Sequence, residues 1–135
     1  MAFVKFTETG KSFAPRASIN PRGYLSFNDG TRKRYGLEKY GFAVLYYDAE
    51  ESKVGVELTN DETAQGAVKL RHRQTGATIG AKSFIDFFDI RIEKTTVYDV
   101  RQGEGGLLLI DLEAGRERNS KDDEDLKDEE EDPLA

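Results

Sequence analysis

Short runs of alternating apolar and polar residues, each followed by a turn, fill most of residues 16–112. Every second residue is apolar in KVGVELT (53–59), and Val68 and Leu70 alternate with cations in AVKLRHR (67–73). Residues two apart on a strand share a face, so each run predicts a strand with one buried side. The chain is therefore expected to be mainly β, with strands that bury their apolar sides against one another.

Two segments interrupt the strands and predict short helices. In the first, Asn28 and Asp29 have the short polar side chains that cap free amide groups, and Gly36 is expected to end the helix. The second segment, AKSFIDFFDI, has aromatic residues at the spacing of one helical face, namely Phe84, Phe87 and Phe88. This face is expected to pack in the core or against a partner. Its width suggests that a homo-oligomer forms through it.

The order of predicted elements occurs twice along the chain. Strand, Gly, strand, short helix, strand, strand describes residues 16–59 and again residues 67–112, with Gly23 matching Gly76. A repeat of architecture on this scale suggests that the chain contains its own pseudo-dimer. The predicted fold class is α+β and mainly β, with two ββαββ repeats that form about eight antiparallel strands and two short helices.

Charge is divided unevenly between a body and a tail. The 135 residues have a formal net charge of -6. Residues 121–135 hold nine acidic and two basic side chains, which leaves residues 1–120 at +1, and residues 1–40 alone at +5. Runs of like charge are usually disordered interaction tails. We therefore expect one β-rich domain at 1–113, followed by an acidic disordered tail at 114–135.

Several classes of function are excluded by what the sequence lacks. No Cys is present and His72 is the one His, which argues against a metal site and a thiol nucleophile. The segment GEGG (103–106) lacks the Lys and the strand-to-helix context of a phosphate-binding loop. No apolar run approaches the roughly 20 residues of a membrane span, and no signal peptide is recognisable. We expect a cytoplasmic protein that is not an enzyme and uses no cofactor.

The run AVLYYD, KVGVELT, AVKLRHR, ATIG and SFIDFFDI has the order of four antiparallel strands and a helix. This order resembles the repeating unit of the Whirly-type and positive-cofactor-type single-stranded-DNA-binding transcription regulators. Those proteins pair two such units, and their sheets hold extended DNA. The resemblance implies that this chain binds single-stranded DNA on a β face.

A second resemblance comes from PRGYLSFNDGTRKRYGL and the strand pair after it. This segment is similar to the AbrB/SpoVT swapped-hairpin transcription regulators, which run strand, Gly, strand, Arg-bearing short helix, strand, strand. Arg34, Gly36 and Leu37 stand where that family has its Arg and its helix end. The resemblance implies binding to duplex DNA, so the two resemblances agree on DNA and differ on the number of strands bound.

Three cations on one predicted strand form the first candidate site. Lys69, Arg71 and Arg73 are two residues apart, so they share the outward face with about 7 Å between neighbours. Such a row can follow a phosphate backbone, whose contacts dominate nucleic-acid affinity. The alternative is an ordinary solvated strand face, or a face neutralised by Glu57 on the neighbouring predicted strand.

Further candidates are cations of the basic N-terminal region and tyrosines. Tyr46 and Tyr47 are adjacent, so they point to opposite faces of a sheet, and at most one of them is core. An exposed Tyr can stack on the bases of a single strand, whereas packing in a core or interface is the alternative. The remaining predicted nucleic-acid contacts are Arg16, Arg22, Tyr24, Arg32, Lys33, Arg34 and Tyr47.

A third resemblance concerns the acidic tail. Bacterial and phage single-stranded-DNA-binding proteins resemble it in having a compact β body and an acidic tail with an apolar tip, here Pro133 and Leu134. The resemblance implies that the tail competes with DNA for the basic face and recruits a protein partner. A tail that serves only solubility is the alternative.

The favoured hypothesis is a protein that holds single-stranded DNA or RNA on a basic β face, with an acidic regulatory tail. One alternative is an AbrB-like regulator that binds duplex DNA. Another is a non-catalytic protein-interaction module of phage or plasmid type, in which the tail and the exposed aromatic side chains contact other proteins.

Overall fold

The computed structural model describes residues 2–7 and 13–117. The strands are β1 (Arg16–Ile19), β2 (Tyr24–Phe27), β3 (Phe42–Asp48), β4 (Lys53–Thr59), β5 (Val68–Arg73), β6 (Gly76–Gly80), β7 (Thr96–Gln102), β8 (Leu108–Asp111) and β9 (Arg116–Glu117). The α-helices are α1 (Asp29–Tyr35) and α2 (Lys82–Phe87). The predicted mainly β fold with two short helices is confirmed.

Eight strands close into an antiparallel barrel in the order β1-β2-β6-β5-β3-β4-β8-β7. Closure comes from the pairing of β1 with β7, where Ala17 lies opposite Tyr98. The short strand β9 pairs with the first residues of β7, with Arg116 opposite Val97. The closed order pairs most strand edges within the chain, although the β3–β5 pairing is short and joins only Phe42 with Lys69 and Ala43 with Val68.

Alternation along each strand directs one set of side chains into the barrel. The register places Leu25 beside Ile79 on one side and Ile19 on the other, and all three are buried. The same rule places Val56 opposite Leu108 across β4 and β8. Burying a side chain of this size is worth roughly 1.5–3 kcal/mol, so the barrel interior is the main source of stability.

The two helices close opposite ends of the barrel. α1 leads from the end of β2 towards β3, and α2 leads from the end of β6 towards β7. Because β2 and β6 are antiparallel neighbours, they finish at opposite ends. Leu37, just after α1, and Ile85 in α2 are both buried in the core. We call the end of the barrel that α1 closes the α1 end, and the end that α2 closes the α2 end.

A buried asparagine holds the α1 end. The Asn28 side-chain oxygen accepts hydrogen bonds from the amide of Thr31 at 2.9 Å and the amide of Arg16 at 3.0 Å. The Asn28 side-chain amide donates to the Ala14 carbonyl at 2.9 Å. Gly36 ends the helix with a φ of 63°, a left-handed conformation that glycine adopts without strain. The predicted cap and stop of α1 are confirmed.

The predicted aromatic face of the second helix is only partly buried. The buried side chain of α2 is Ile85, whereas Phe84 is half-buried and Phe87 and Phe88 are exposed. A six-residue helix turns too few side chains into the barrel end to bury three more rings. The expectation of core packing is therefore wrong for Phe87 and Phe88, and the partner-facing alternative remains a prediction.

The domain reaches four residues beyond its predicted boundary at residue 113. The short helical turn Leu112–Ala114 leads into β9, which ends at Glu117. Residues 118–135, which make up most of the predicted tail, lie outside the described residues. Near the N-terminus, residues 2–7 are exposed and belong to no strand.

Hairpins from the two halves of the chain are interleaved around the barrel. The β1–β2 hairpin lies beside the β5–β6 hairpin through the β2–β6 pairing. The β3–β4 hairpin lies beside the β7–β8 hairpin through the β4–β8 pairing. The barrel therefore consists of two walls of four strands, and each wall takes one hairpin from each half of the chain.

Candidate nucleic-acid interface

The two walls of the barrel differ in charge. None of the strands β1, β2, β6 and β5 contains an Asp or a Glu, and their cations are Arg16, Lys69, Arg71 and Arg73. Each strand of the other wall has one acidic residue, and these are Asp48, Glu57, Asp99 and Asp111. We call β1-β2-β6-β5 the basic wall and β3-β4-β8-β7 the acidic wall.

The predicted row of cations lies on the outer face of the basic wall. Lys69 and Arg71 are exposed and Arg73 is half-buried; Val68 and Leu70 on either side of Lys69 face inward, whereas His72 is exposed. The neighbouring strand offers small residues beside this row, with Thr78 opposite Arg71 and Gly76 opposite Arg73. Within residues 2–7 and 13–117, no acidic side chain forms an ion pair with Lys69 or Arg71. Both charges are therefore presented to solvent.

Neutralisation of this row by Glu57 was the predicted alternative, and the structure does not show it. β3 lies between β4, which holds Glu57, and β5. Glu57 instead accepts a hydrogen bond of 2.6 Å from the hydroxyl of Tyr46. That hydrogen bond, together with the nearby negative charge, raises the pKa of Tyr46. Glu57 and Tyr46 therefore form a pair on the outside of the acidic wall.

The cations of α1 are largely occupied by acidic partners. Arg32 lies 2.7 Å from Asp29 and 2.6 Å from Glu38, and Lys33 lies 3.3 Å from Asp29. Burial acts to raise the pKa of Asp29, but the hydrogen bonds and charges of Arg32 and Lys33 outweigh it and lower that pKa. Arg34 is exposed, and no ion pair joins it to an acid in the described part of the chain. Of the three predicted cations, Arg34 is the most available to a ligand.

The remaining predicted residues on this side of the barrel span its length. Arg16 lies at the start of β1, at the α1 end, and is half-buried. Arg22 is exposed in the β1–β2 turn, at the α2 end. Tyr24 begins β2, is half-buried and faces outward, because the next residue, Leu25, faces the core. The basic wall therefore has one predicted aromatic side chain on its outer face.

Tyr47 is not brought together with the row of cations. It lies in the same phase of β3 as the buried Ala43 and packs against the core at the α2 end. Its ring centroid lies 5.0 Å from that of Phe88 and 6.3 Å from that of Phe84. The prediction that Tyr46 and Tyr47 point to opposite faces is confirmed.

The structure also identifies an aromatic side chain that the sequence reasoning missed. Phe42 lies directly opposite Lys69 across the β3–β5 pairing, and residues opposite each other share a face of the sheet. Phe42 is half-buried and does not belong to the packed core. Because Ala43 is buried, the alternation of a strand already indicates that Phe42 faces outward. That Phe42 lies beside Lys69 follows only from the β3–β5 pairing.

No other chemistry is evident in the described residues. His72 is exposed, and one of its ring nitrogens lies 2.5 Å from the carbonyl oxygen of Tyr40. In residues 2–7 and 13–117, no group of three His, Cys, Asp or Glu side chains is placed to hold a metal ion. Over the same residues, no helix has the length and apolar character to cross a membrane.

Comparison with known proteins gives no relative. No protein-family model, no curated protein and no solved structure matches this chain. The Whirly-type and AbrB-type resemblances therefore remain predictions.

Proposed function

We propose that this protein is a non-catalytic, cytoplasmic nucleic-acid-binding protein that holds single-stranded DNA or RNA on the basic wall. The observation that supports this proposal is that four adjacent strands contribute four cations and no acidic residue. Contacts to phosphate supply most of the affinity in such complexes. Four adjacent strands without Asp or Glu can attract a polyanion even though residues 1–120 have a net charge of only +1, and the nearest acidic strand residue is Asp99 of β7, opposite Arg16 at the border of the basic wall.

Aromatic side chains beside the cations favour a single-stranded ligand. Phe42 lies next to Lys69, and Tyr24 faces outward on the same side of the barrel. Stacking of a base on an aromatic ring is worth about 1–3 kcal/mol and is available only when the base is unpaired. Lys69 and Arg71 then hold the phosphates while these rings hold bases.

We propose that the acidic tail regulates access to the basic wall. The described chain ends at Glu117 on β9, which pairs with β7, and β7 is the strand next to β1 of the basic wall. The residues after Glu117 include nine acidic side chains between 121 and 135. A tail that starts beside a surface of opposite charge competes with nucleic acid for it and, when displaced, is free to recruit a protein partner.

A second candidate, binding to duplex DNA, is favoured by the pairing of the strands. Exchanging β1–β4 for β5–β8 leaves every pairing in the barrel unchanged, since β2 pairs with β6, β4 with β8, β3 with β5 and β1 with β7. We infer that residues 16–59 and 67–112 are equivalent ββαββ units. Interleaved hairpins of this kind fit the swapped-hairpin resemblance, and duplex binding then uses the same basic wall.

The test is a titration of a labelled oligonucleotide followed by fluorescence anisotropy at several salt concentrations. We expect the double variant Lys69→Glu/Arg71→Glu to bind at least about tenfold more weakly at low salt, since two phosphate contacts are lost and become repulsive. The slope of log affinity against log salt should fall by about 1.4, from about 0.7 for each contact. Arg101→Glu is the matched control, because Arg101 is exposed on β7 of the acidic wall.

Two further measurements separate single-strand binding from duplex binding and from a protein-interaction role. Removal of residues 121–135 should strengthen binding, because the competing negative charge is lost. Tighter binding to duplex than to single strands would favour the second candidate. If the truncated protein fails to bind either ligand at low salt, the nucleic-acid proposal is wrong and a protein-interaction module becomes the better hypothesis.

A further inference from the structure

An aromatic cluster is exposed at the α2 end of the barrel. It consists of Tyr47, Phe84, Phe87 and Phe88. The ring centroid of Phe88 lies 4.9 Å from that of Phe87, 5.0 Å from that of Tyr47 and 5.2 Å from that of Phe84. Phe87 is 82% exposed and Phe88 is 40% exposed. Contiguous apolar surface of this kind marks an interaction site more often than a free surface.

A second apolar surface lies on the N-terminal arm, residues 2–7. Phe3 is 89% exposed and Val4 is 91% exposed. Phe6 makes an edge contact with Phe13, with 6.3 Å between ring centroids. Phe13 in turn lies under the ammonium group of Lys33 at 5.7 Å. The arm is therefore attached at the α1 end, and its outer two apolar side chains pack against nothing described.

The arm is attached at the end of the barrel opposite to the aromatic cluster of its own chain. β3 extends from the α1 end to Tyr47, and its seven residues span roughly 20 Å. From Phe6 to Phe3 the chain reaches at most about 11 Å. While Phe6 stays on Phe13, Phe3 therefore falls short of Phe87. A contact between the two surfaces is therefore more readily made between different copies of the chain.

We infer that the N-terminal arm of one copy packs on the aromatic cluster of a second copy. Phe3 and Val4 of the arm then cover Phe87 and Phe88. The contact is apolar and gains little from charge, because Asp89 beside Phe88 is exposed but already lies 4.0 Å from Arg91. This inference specifies the partner of the α2 aromatic face and does not depend on the proposed nucleic-acid binding.

The geometry of this contact determines the assembly. Two different surfaces are joined, so the contact is head-to-tail, and such contacts form open chains unless a rotation closes them into a ring. The surfaces lie at opposite ends of the barrel, which favours an open chain. A symmetric dimer through two aromatic clusters would instead leave Phe3 and Val4 exposed in both copies.

Sedimentation velocity over a concentration series tests the inference with two variants. The arm variant is Phe3→Ser/Val4→Ser, with Thr7→Ala as its control, and the cluster variant is Phe87→Ser, with Ser83→Ala as its control. All of these side chains are exposed, so each protein should keep the same thermal melt. A variant with a lowered melt would be replaced by Phe3→Thr or Phe87→Thr.

The association state expected for each variant alone differs from that expected for a mixture of the two variants. The full chain and both controls should gain mass with concentration, whereas each variant alone should remain monomeric. An equimolar mixture of the arm variant and the cluster variant should form dimers that grow no further, because it offers one intact arm and one intact cluster per pair. A monomeric full chain, an arm variant that still associates, or a mixture that stays monomeric would each overturn the inference.

Discussion

The basic wall and the acidic wall are made by the same chain, with the same antiparallel pairing and the same inward alternation. Each contains one hairpin from each half of the chain, so the difference between them does not separate the two halves. The two strands of the first hairpin in each half lack acidic residues, and the two strands of the second hairpin contain one each. In each half of the chain, the first hairpin therefore belongs to the basic wall and the second hairpin to the acidic wall.

The outward residues between the charges differ as well. On the basic wall the cations are separated by small residues, such as Ser26 and Thr78, whose hydroxyls lie 3.3 Å apart. On the acidic wall the outward positions include the large side chains Tyr46 and Leu109. Long cationic side chains beside small residues can move to follow a ligand, whereas Tyr46 is held by Glu57. The comparison shows why net charge alone is a poor guide to this surface.

The first way to break the comparison is to remove, one at a time, the two outward aromatic side chains of β3, Phe42 and Tyr46. Phe42→Ala should weaken single-strand binding about fivefold, because one stacked base is lost at the low end of its usual energy, about 1 kcal/mol. Tyr46→Ala should leave affinity unchanged, since Tyr46 has the same outward phase on the same strand but is paired with Glu57. Anisotropy titrations of the two variants measure this. Equal losses would show that Phe42 has no special place beside the cations.

A second prediction concerns how much the ion pairs of α1 contribute to the stability of the fold. Asp29→Asn removes the carboxylate that Arg32 and Lys33 share. The folded-state pKa of Asp29 lies below its ordinary value of 3.8. A depressed pKa stabilises the fold above the unfolded-state pKa, and this stabilisation is lost as the pH falls through the folded-state pKa.

We therefore expect the Asp29→Asn protein to be less stable by about 1 kcal/mol at neutral pH, with the difference shrinking below about pH 4. Denaturant unfolding at several pH values measures it. Asp86→Asn is the control, because the Asp86–Lys82 pair is exposed on both sides and should contribute little. A constant difference at all pH values would mean that the carboxylate charge is not the cause.

The smallest effect is expected on the acidic wall. Glu57→Gln/Asp111→Asn makes the protein more positive by two charges without changing the basic wall. Affinity should change by less than about twofold at 0.1 M salt, because the Debye length there is about 10 Å and both changes lie two strands, or about 10 Å, from the basic wall. The same anisotropy titration measures it. A gain as large as the loss in Lys69→Glu/Arg71→Glu would show that net charge, and not placement, controls binding.

Local patterns in the sequence predicted much of the fold and part of the candidate site. The outward row Lys69, Arg71 and Arg73 followed from the two-residue period of a strand, and the Asn28 cap followed from the chemistry of helix ends. Spacing placed Phe84, Phe87 and Phe88 on one helical face. It could not show that Ile85 already fills the barrel end, since that depends on where α2 meets the other strands.

The sequence by itself determined the eight strands of the barrel, most of their inward and outward residues, the two helices and the separation of the acidic residues after 120. These depend on interactions between residues a few positions apart. Only the tertiary structure decided the pairings, which join residues as distant as Ser26 and Thr78 or Ala17 and Tyr98. Such pairings leave no local signal, because they are selected by closure of the whole barrel. Closure brought the acid-free strands side by side, placed β3 between Glu57 and the cations, and put Phe42 beside Lys69.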